Sequence, residues 1–164
     1  MNTSLPKKII FTALLTGIFA TAHAALKVGD TLPDLASFKL EGKLPDTLKG
    51  KIVVVDFWAS WCLPCAESFP VMDELQKKYG DRVVILAVNV DEKAAKMEKF
   101  LTKHRVTFTV ARDGSQKLVA FVAPETMPTS FILDGEGKVK FLHTGFHGEE
   151  TRKQYISEID SLLK

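Results

Sequence analysis

Two cysteines, Cys62 and Cys65, stand three positions apart and constrain this chain more than any other feature. Residues 52–58, just before them, are rich in β-branched and aromatic side chains, which is typical of a strand buried on both faces. From Leu63 to about Tyr79, apolar side chains recur at helical spacing. The pair therefore lies at a strand-to-helix junction, where two thiols at this spacing can close and reopen a disulfide.

The position of each thiol in the helix predicts its role. Cys62 lies at the amino end, where unpaired amides and the positive end of the macrodipole stabilise a thiolate. Thiols in such CxxC motifs have pKa values from roughly 3.5 to 7.5, against about 8.5 for a free cysteine. We predict that Cys62 is the exposed nucleophile and Cys65 the buried resolving thiol. Pro64 suits the first turn, since its missing N–H would have no partner there.

The first 24 residues are predicted to be a secretory signal peptide. Lys7 and Lys8 precede an uncharged apolar stretch, residues 9–22, and residues 22–24 (Ala-His-Ala) match a signal-peptidase site. The apolar stretch is short for a membrane span, although an uncleaved membrane anchor is the alternative. Residues 25–164 are expected to form one exported, periplasmic domain.

Charge and cysteine count exclude other classes of protein. Removing two lysines with the signal leaves 20 of the 22 basic residues against 20 acidic ones, so the mature chain is neutral, without a basic patch for nucleic acid. A bridge between cysteines three positions apart closes too small a loop to stabilise a fold by loop entropy. The two thiols are therefore expected to do redox chemistry.

The remaining pattern predicts an α/β domain with a mixed central sheet flanked by helices. Strands are predicted at 51–58, 82–90, 106–111, 129–133 and 138–143, and helices at 63–79, 93–105, 113–121 and from 148 onward. Ahead of these elements, we expect an edge strand at 35–40 and one helical turn at 46–50. Asp91 is expected to cap the second helix.

Residues 54–65 (VVDFWASWCLPC) resemble the active-site stretch of the thioredoxin superfamily. Residues 28–33 (VGDTLP), Gly50-Lys51 and 127–134 (MPTSFILD) resemble its exported TlpA/ResA-like branch. This resemblance implies a thioredoxin fold with an N-terminal extension and a central helix–strand insertion. It also implies a cis peptide bond at Met127–Pro128 that faces the cysteines.

The other predicted site residues lie in and beside these stretches. Asp56, on the buried strand, would accept the proton of Cys65 during resolution. The predicted substrate contacts are Trp61, Leu63, Pro64, Met127, Pro128 and Thr129. Three positions depart from many members of the branch: Asp56 replaces Asn, Leu63 replaces Gly or Glu, and Ser68 replaces Glu.

The predicted function is thiol–disulfide exchange without a cofactor other than the Cys62–Cys65 disulfide. The branch suggests a monomeric reductant of partner proteins, such as apocytochrome c or metal-centre assembly proteins. A separate thiol donor, such as a membrane thiol-electron carrier, would supply its electrons. The alternatives are a disulfide-forming oxidant, a peroxiredoxin-like peroxide reductase and a copper-binding chaperone. The peroxidase Pro-x-x-x-Thr-x-x-Cys stretch and the chaperones' CxxxC spacing are both absent, and no metal site is predicted.

Overall fold

The computed structural model describes residues 25–164. The predicted signal peptide at 1–24 lies outside the described residues. Within residues 25–164, no helix is long and apolar enough to cross a membrane.

A five-stranded mixed sheet forms the centre of the described chain. Its strands are β1 (Ile52–Trp58), β2 (Val83–Asn89), β3 (Thr109–Arg112), β4 (Thr129–Leu133) and β5 (Val139–Thr144), in the order β3-β2-β1-β4-β5. β1 and β2 are parallel, as are β2 and β3, whereas β4 is antiparallel to both β1 and β5. This is the mixed sheet that the sequence predicted.

Helices cover both faces of the sheet, so that every residue of β1 is buried. They are α1 (Leu63–Tyr79), α2 (Ala94–Lys103), α3 (Lys117–Val122) and α4 (Glu149–Leu162). Side chains of Val54 and Trp58 pack with α1, α2 and α4, whereas Val55 and Phe57 pack with α3 and the N-terminal extension. The period-2 alternation of β1 thus divides the core into two layers, and Cys62 and Cys65 belong to the first.

Two expectations for the N-terminal extension were wrong. Residues 35–40 do not form an edge strand, because the Asp34 carboxylate accepts from the Ala36 N–H and starts a 3-10 helix, Leu35–Phe38. Residues 46–50 form no helical turn, and the chain turns there at Gly50 with φ of 78°. Asp and Gly favour such local turns over regular elements.

Two predicted elements begin later than expected. β3 begins at Thr109, since the N–H and hydroxyl of Thr107 both bond to Asp73 on α1, 2.7 Å away, and hold that segment off the sheet. α3 begins at Lys117, because the Asp113 carboxylate accepts backbone N–H bonds from Lys117 and Val119.

The pairing of β1 with β4 brings the two predicted halves of the site to one edge of the sheet. Phe57 is opposite Thr129, and Asp56 is opposite Ser130. Pro128, which precedes β4, therefore lies at the same end of the sheet as the loop that carries Cys62.

Candidate active site

The two cysteines form a disulfide at the start of α1, with their Cα atoms 5.3 Å apart. Cys62 is the N-cap of the helix, and its Sγ accepts a 3.2 Å hydrogen bond from the Cys65 N–H. Pro64 occupies the first turn, as its missing N–H allows. The Cys65 N–H is therefore placed to stabilise a thiolate on Cys62 once the disulfide is reduced.

The burial of the two thiols differs in the predicted direction, although by less than expected. Cys65 is fully buried, and Cys62 is only 6% exposed in the disulfide form. The description of Cys62 as an exposed nucleophile is therefore wrong for the oxidised protein, because its sulfur packs against the core layer of α1. Of the two cysteines, Cys62 still has the greater access to solvent.

An apolar lip borders Cys62 on the surface. Trp61 is 69% and Leu63 71% exposed, and Pro64 beside them is also exposed. Exposed large apolar side chains beside a reactive group are typical of a protein-binding surface. Trp58, in contrast, is fully buried in the core.

The Met127–Pro128 peptide bond is cis, as the family resemblance implies. Pro128 and Thr129 are buried, while Met127 is half-buried. The loop is held by two 2.7 Å bonds, from the Thr129 hydroxyl to the Thr126 carbonyl and from the Gly145 N–H to the Pro128 carbonyl. Of the three predicted contacts Met127, Pro128 and Thr129, Met127 therefore has the most access to a partner.

Asp56 is a fully buried carboxylate on the face of β1 that carries Trp58. Its Oδ1 accepts a 2.6 Å hydrogen bond from the Ser130 hydroxyl, whereas its Oδ2 has no hydrogen-bond partner within residues 25–164. Burial raises the pKa of Asp56 from 3.8 to about 7, and the bond from Ser130 opposes part of that rise. Asp56 therefore changes charge near neutral pH, as a proton acceptor in this pH range requires.

The Asp56–Ser130 bond continues to α4. The hydroxyls of Ser130 and Tyr155 lie 2.9 Å apart, both in the buried core. Burial, followed by the charge of Asp56, raises the pKa of Tyr155 above its ordinary value. The rings of Tyr155 and His143 pack edge to face, and His143 is hydrogen-bonded to Glu158 at 2.6 Å. These contacts connect the buried Asp56 carboxylate to the half-buried pair of His143 and Glu158.

Sequence reasoning missed Ser130 and Tyr155. The sequence predicted only the elements that contain them, a strand at 129–133 for Ser130 and a helix from 148 onward for Tyr155. Pairing β1 with β4 in antiparallel register would have placed Ser130 opposite Asp56, but the register depends on tertiary structure.

The prediction that Asp91 caps α2 was wrong. The N-cap of α2 is Lys93, which makes no capping bond with its side chain. The buried Asp91 carboxylate instead accepts the N–H and hydroxyl of Ser60 at 2.9 and 3.0 Å, and the Asn89 amide at 2.8 Å. Asp91 thus fixes the loop that leads to Cys62.

Residues 27–162 match the Redoxin family. The chain belongs to the redoxin family. A thiol–disulfide oxidoreductase ResA of Geobacillus thermodenitrificans is 38% identical over 145 residues, which are 86% of this chain and 83% of that protein. These relatives and the CxxC disulfide identify the chain as a thiol–disulfide oxidoreductase, as its sequence predicted.

Solved structures of redoxin relatives share the fold. One from Chlorobium tepidum, assigned to the DsbE thiol:disulfide interchange proteins, has a TM-score of 0.78 and 37% identity, and covers 85% of this chain and 100% of that one. The exposed lipoprotein thioredoxin Etrx1 of Streptococcus pneumoniae has a TM-score of 0.59 and 32% identity, over 68% and 87% of the two chains. The expected thioredoxin fold is confirmed.

Residues 25–164 contain no group of three or more His, Cys, Asp or Glu side chains suited to hold an ion.

Proposed function

We propose that this protein is an exported reductant of disulfides in partner proteins, with Cys62 as its nucleophile and Cys65 as its resolving thiol. The observation that carries this assignment is the asymmetry at the start of α1. Cys62 Sγ accepts a helix-terminal N–H and borders the exposed lip, whereas Cys65 is fully buried. A thiolate is favoured at Cys62, and a partner sulfur reaches it first.

In the first step, the Cys62 thiolate attacks one sulfur of the partner's disulfide. A mixed disulfide forms, and the other partner sulfur leaves as a thiolate that takes a proton from water. In the second step, Cys65 transfers its proton to the Asp56 carboxylate and attacks Cys62 Sγ. The Cys62–Cys65 disulfide forms, and the second partner sulfur leaves. Two electrons pass to the partner, and a separate thiol donor must then reduce this protein.

Asp56 supports the second step by its place and its ionisation. It lies on the strand face that packs with α1, and its Oδ2 has no partner among the described residues. With a pKa of about 7, it is partly ionised at neutral pH and can take a proton there. A fully ionised carboxylate with an ordinary pKa would be a weaker base.

The direction of electron flow is inferred from the branch that the chain resembles. The same resemblance suggests apocytochrome c or metal-centre assembly proteins as partners and a membrane thiol-electron carrier as donor. Export is inferred from residues 1–24 and is consistent with a relative that is an exposed lipoprotein. We propose that the protein acts as a monomer.

Trapping tests the roles of the cysteines. The Cys65→Ser variant keeps the nucleophile but cannot resolve, so it should accumulate mixed disulfides, which Cys62→Ser should not. Recovery of partners with Cys62→Ser alone would invert the two roles. Equilibration with glutathione tests the direction, because a reductant should have a potential near the −270 mV of thioredoxin. A potential near the −120 mV of the strong oxidant DsbA, with rapid oxidation of reduced partners, would establish a disulfide-forming enzyme instead.

A further inference from the structure

An open groove of about 410 Å³ lies between the active-site loop and α2. Its first wall is formed by Trp61, Cys62 and Leu63, and its second by the lysines of α2. Phe100 and His104 also line the groove, and their rings are stacked with centroids 4.2 Å apart. The groove thus joins the nucleophile to a surface that the thiol chemistry does not explain.

Three lysines form the charged wall. Lys96, Lys99 and Lys103 are spaced by three and four residues, which places them on one face of α2. All three are exposed, and none has an ion-pair partner within residues 25–164. No Asp or Glu lines the groove. The groove is therefore a local positive surface on a chain whose residues 25–164 are neutral.

The solvation of a surface helix does not by itself explain why three lysines without ion-pair partners among the described residues lie on one face of α2. Unpaired lysines on one face repel each other, which disfavours the helix slightly. A positive groove that ends at a reactive thiol attracts negative groups toward that thiol and raises the rate of encounter. The apolar wall beside it favours a polypeptide over a small anion, since Trp61 and Leu63 offer apolar contacts.

We propose that the groove binds an acidic segment of the substrate protein, next to the cysteine that Cys62 attacks. The carboxylates of the segment would face the three lysines, while the residues beside its cysteine contact Trp61 and Leu63. This inference rests on the proposed function and names the class of partner that the same site selects. Partner proteins of this class would carry Asp or Glu within a few residues of the disulfide that Cys62 attacks.

The experiment compares three synthetic peptides that differ only in the residues around one cysteine. The flanks contain four Glu, four Gln or four Lys, and the cysteine is blocked as a mixed disulfide with 2-mercaptoethanol. Reduced protein is mixed with each peptide, and acid-quenched mass spectrometry follows release of the peptide thiol. At low ionic strength, the Glu peptide should react at least about tenfold faster than the Lys peptide. The ratio should approach one at 1 M salt, where charges are screened beyond about 3 Å.

A triple variant and a matched control assign the preference to the groove. In K96E/K99E/K103E, the ratio of Glu-peptide to Lys-peptide rates should invert. The control K27E/K140E/K153E makes the same change of charge at exposed lysines outside the groove, and should keep the wild-type ratio to within about twofold. A ratio within one protein cancels any effect of the lysines on the Cys62 thiolate, because that effect is common to all three peptides.

The possible results separate this inference from the proposed function. Failure of the wild-type protein to reduce the small uncharged disulfide bis(2-hydroxyethyl) disulfide would overturn the proposed function. Reduction of that compound without a preference for the Glu peptide would overturn the groove inference alone. A preference that survives in K96E/K99E/K103E, or that is lost equally in the control, would also overturn it. If the triple variant does not fold, the ratio of Glu-peptide to Lys-peptide rates is compared between wild type and the single variant K99E, and in wild type at low and high salt. A ratio that neither K99E nor salt lowers would overturn the groove inference.

Discussion

The Ser130 hydroxyl donates a 2.6 Å hydrogen bond to the Asp56 carboxylate across the pairing of β1 and β4. Ser130 has one proton to donate, so the Tyr155 hydroxyl, 2.9 Å away, must donate to Ser130 when Asp56 is ionised. Three side chains on β1, β4 and α4 therefore form one directed chain of hydrogen bonds. The other Asp56 oxygen, Oδ2, has no hydrogen-bond partner in the described part of the protein and is therefore free to accept a proton from another group.

Asp56→Asn should slow resolution of the mixed disulfide. Asparagine keeps the shape but cannot accept the Cys65 proton, and positioned bases contribute roughly 10²- to 10⁴-fold to such steps. We expect the rate of the wild-type step to rise through pH 7 as Asp56 ionises, and the variant to lack that rise. Stopped-flow measurement of mixed-disulfide decay from pH 5 to 9 tests this. An identical pH profile in both proteins would remove Asp56 from the reaction.

The same substitution should stabilise the oxidised protein at high pH. The pKa of Asp56 is about 7 in the folded protein and about 3.8 when unfolded, so the folded state binds this proton more tightly. The resulting stability is complete below pH 4 and is lost as the pH rises through 7. At pH 8, ionising Asp56 costs about 4 kcal/mol, so Asp56→Asn should be more stable than wild type by up to that amount.

Denaturant unfolding of the disulfide form at pH 4 and pH 8 measures this difference. The two proteins should agree to within about 1 kcal/mol at pH 4, since the wild-type carboxyl is neutral there in the folded state. Asp46→Asn, at an exposed carboxylate, should follow the wild-type pH dependence. Equal pH dependence in wild type and Asp56→Asn would contradict the assignment.

Ser130→Ala should move the pH at which Asp56 ionises upward. The Ser130 bond lowers the pKa of Asp56, and hydrogen bonds to charged groups contribute about 1.5–3 kcal/mol. Its loss should raise the pKa of Asp56 by roughly one to two pH units. Carboxyl infrared or carbon NMR titration of Asp56 measures the change directly.

Tyr155→Phe provides the control for that measurement. It leaves the Ser130–Asp56 bond in place and removes only the second hydroxyl of the chain. Its effect on the pKa of Asp56 should therefore be smaller than that of Ser130→Ala. The reverse order would mean that Tyr155, and not Ser130, controls the carboxylate.

The site divides into a part that local sequence predicts and a part that it does not. Cys62 and Cys65 follow from their spacing, and the burial of Asp56 follows from its apolar strand, because both patterns are local. The Ser130–Asp56 contact depends on strand register and joins residues 74 positions apart, and the Tyr155–Ser130 contact depends on helix docking and joins residues 25 positions apart. Asp91 was placed wrongly for the same reason, since its partner Ser60 lies 31 positions away.

Asp91→Ala tests the support of the active-site loop. The buried carboxylate accepts three hydrogen bonds, two of them from Ser60, which lies two residues before Cys62. Removing it leaves the half-buried Ser60 N–H and the buried side-chain amide of Asn89 without these acceptors, and should lower the free energy of unfolding by roughly 2–4 kcal/mol. The loop that carries Trp61 should also exchange its amide hydrogens faster, since its anchor to β2 is gone.

Ser60→Ala is the matched control, because it removes one of the three bonds and keeps the carboxylate and the Ser60 N–H bond. It should cost about 1 kcal/mol and change loop exchange little. Denaturant unfolding and hydrogen exchange followed by mass spectrometry measure both effects. If Asp91→Ala lowered stability while exchange at residues 59–62 stayed at the wild-type rate, Asp91 would support β2 alone and the loop would be held by its own packing.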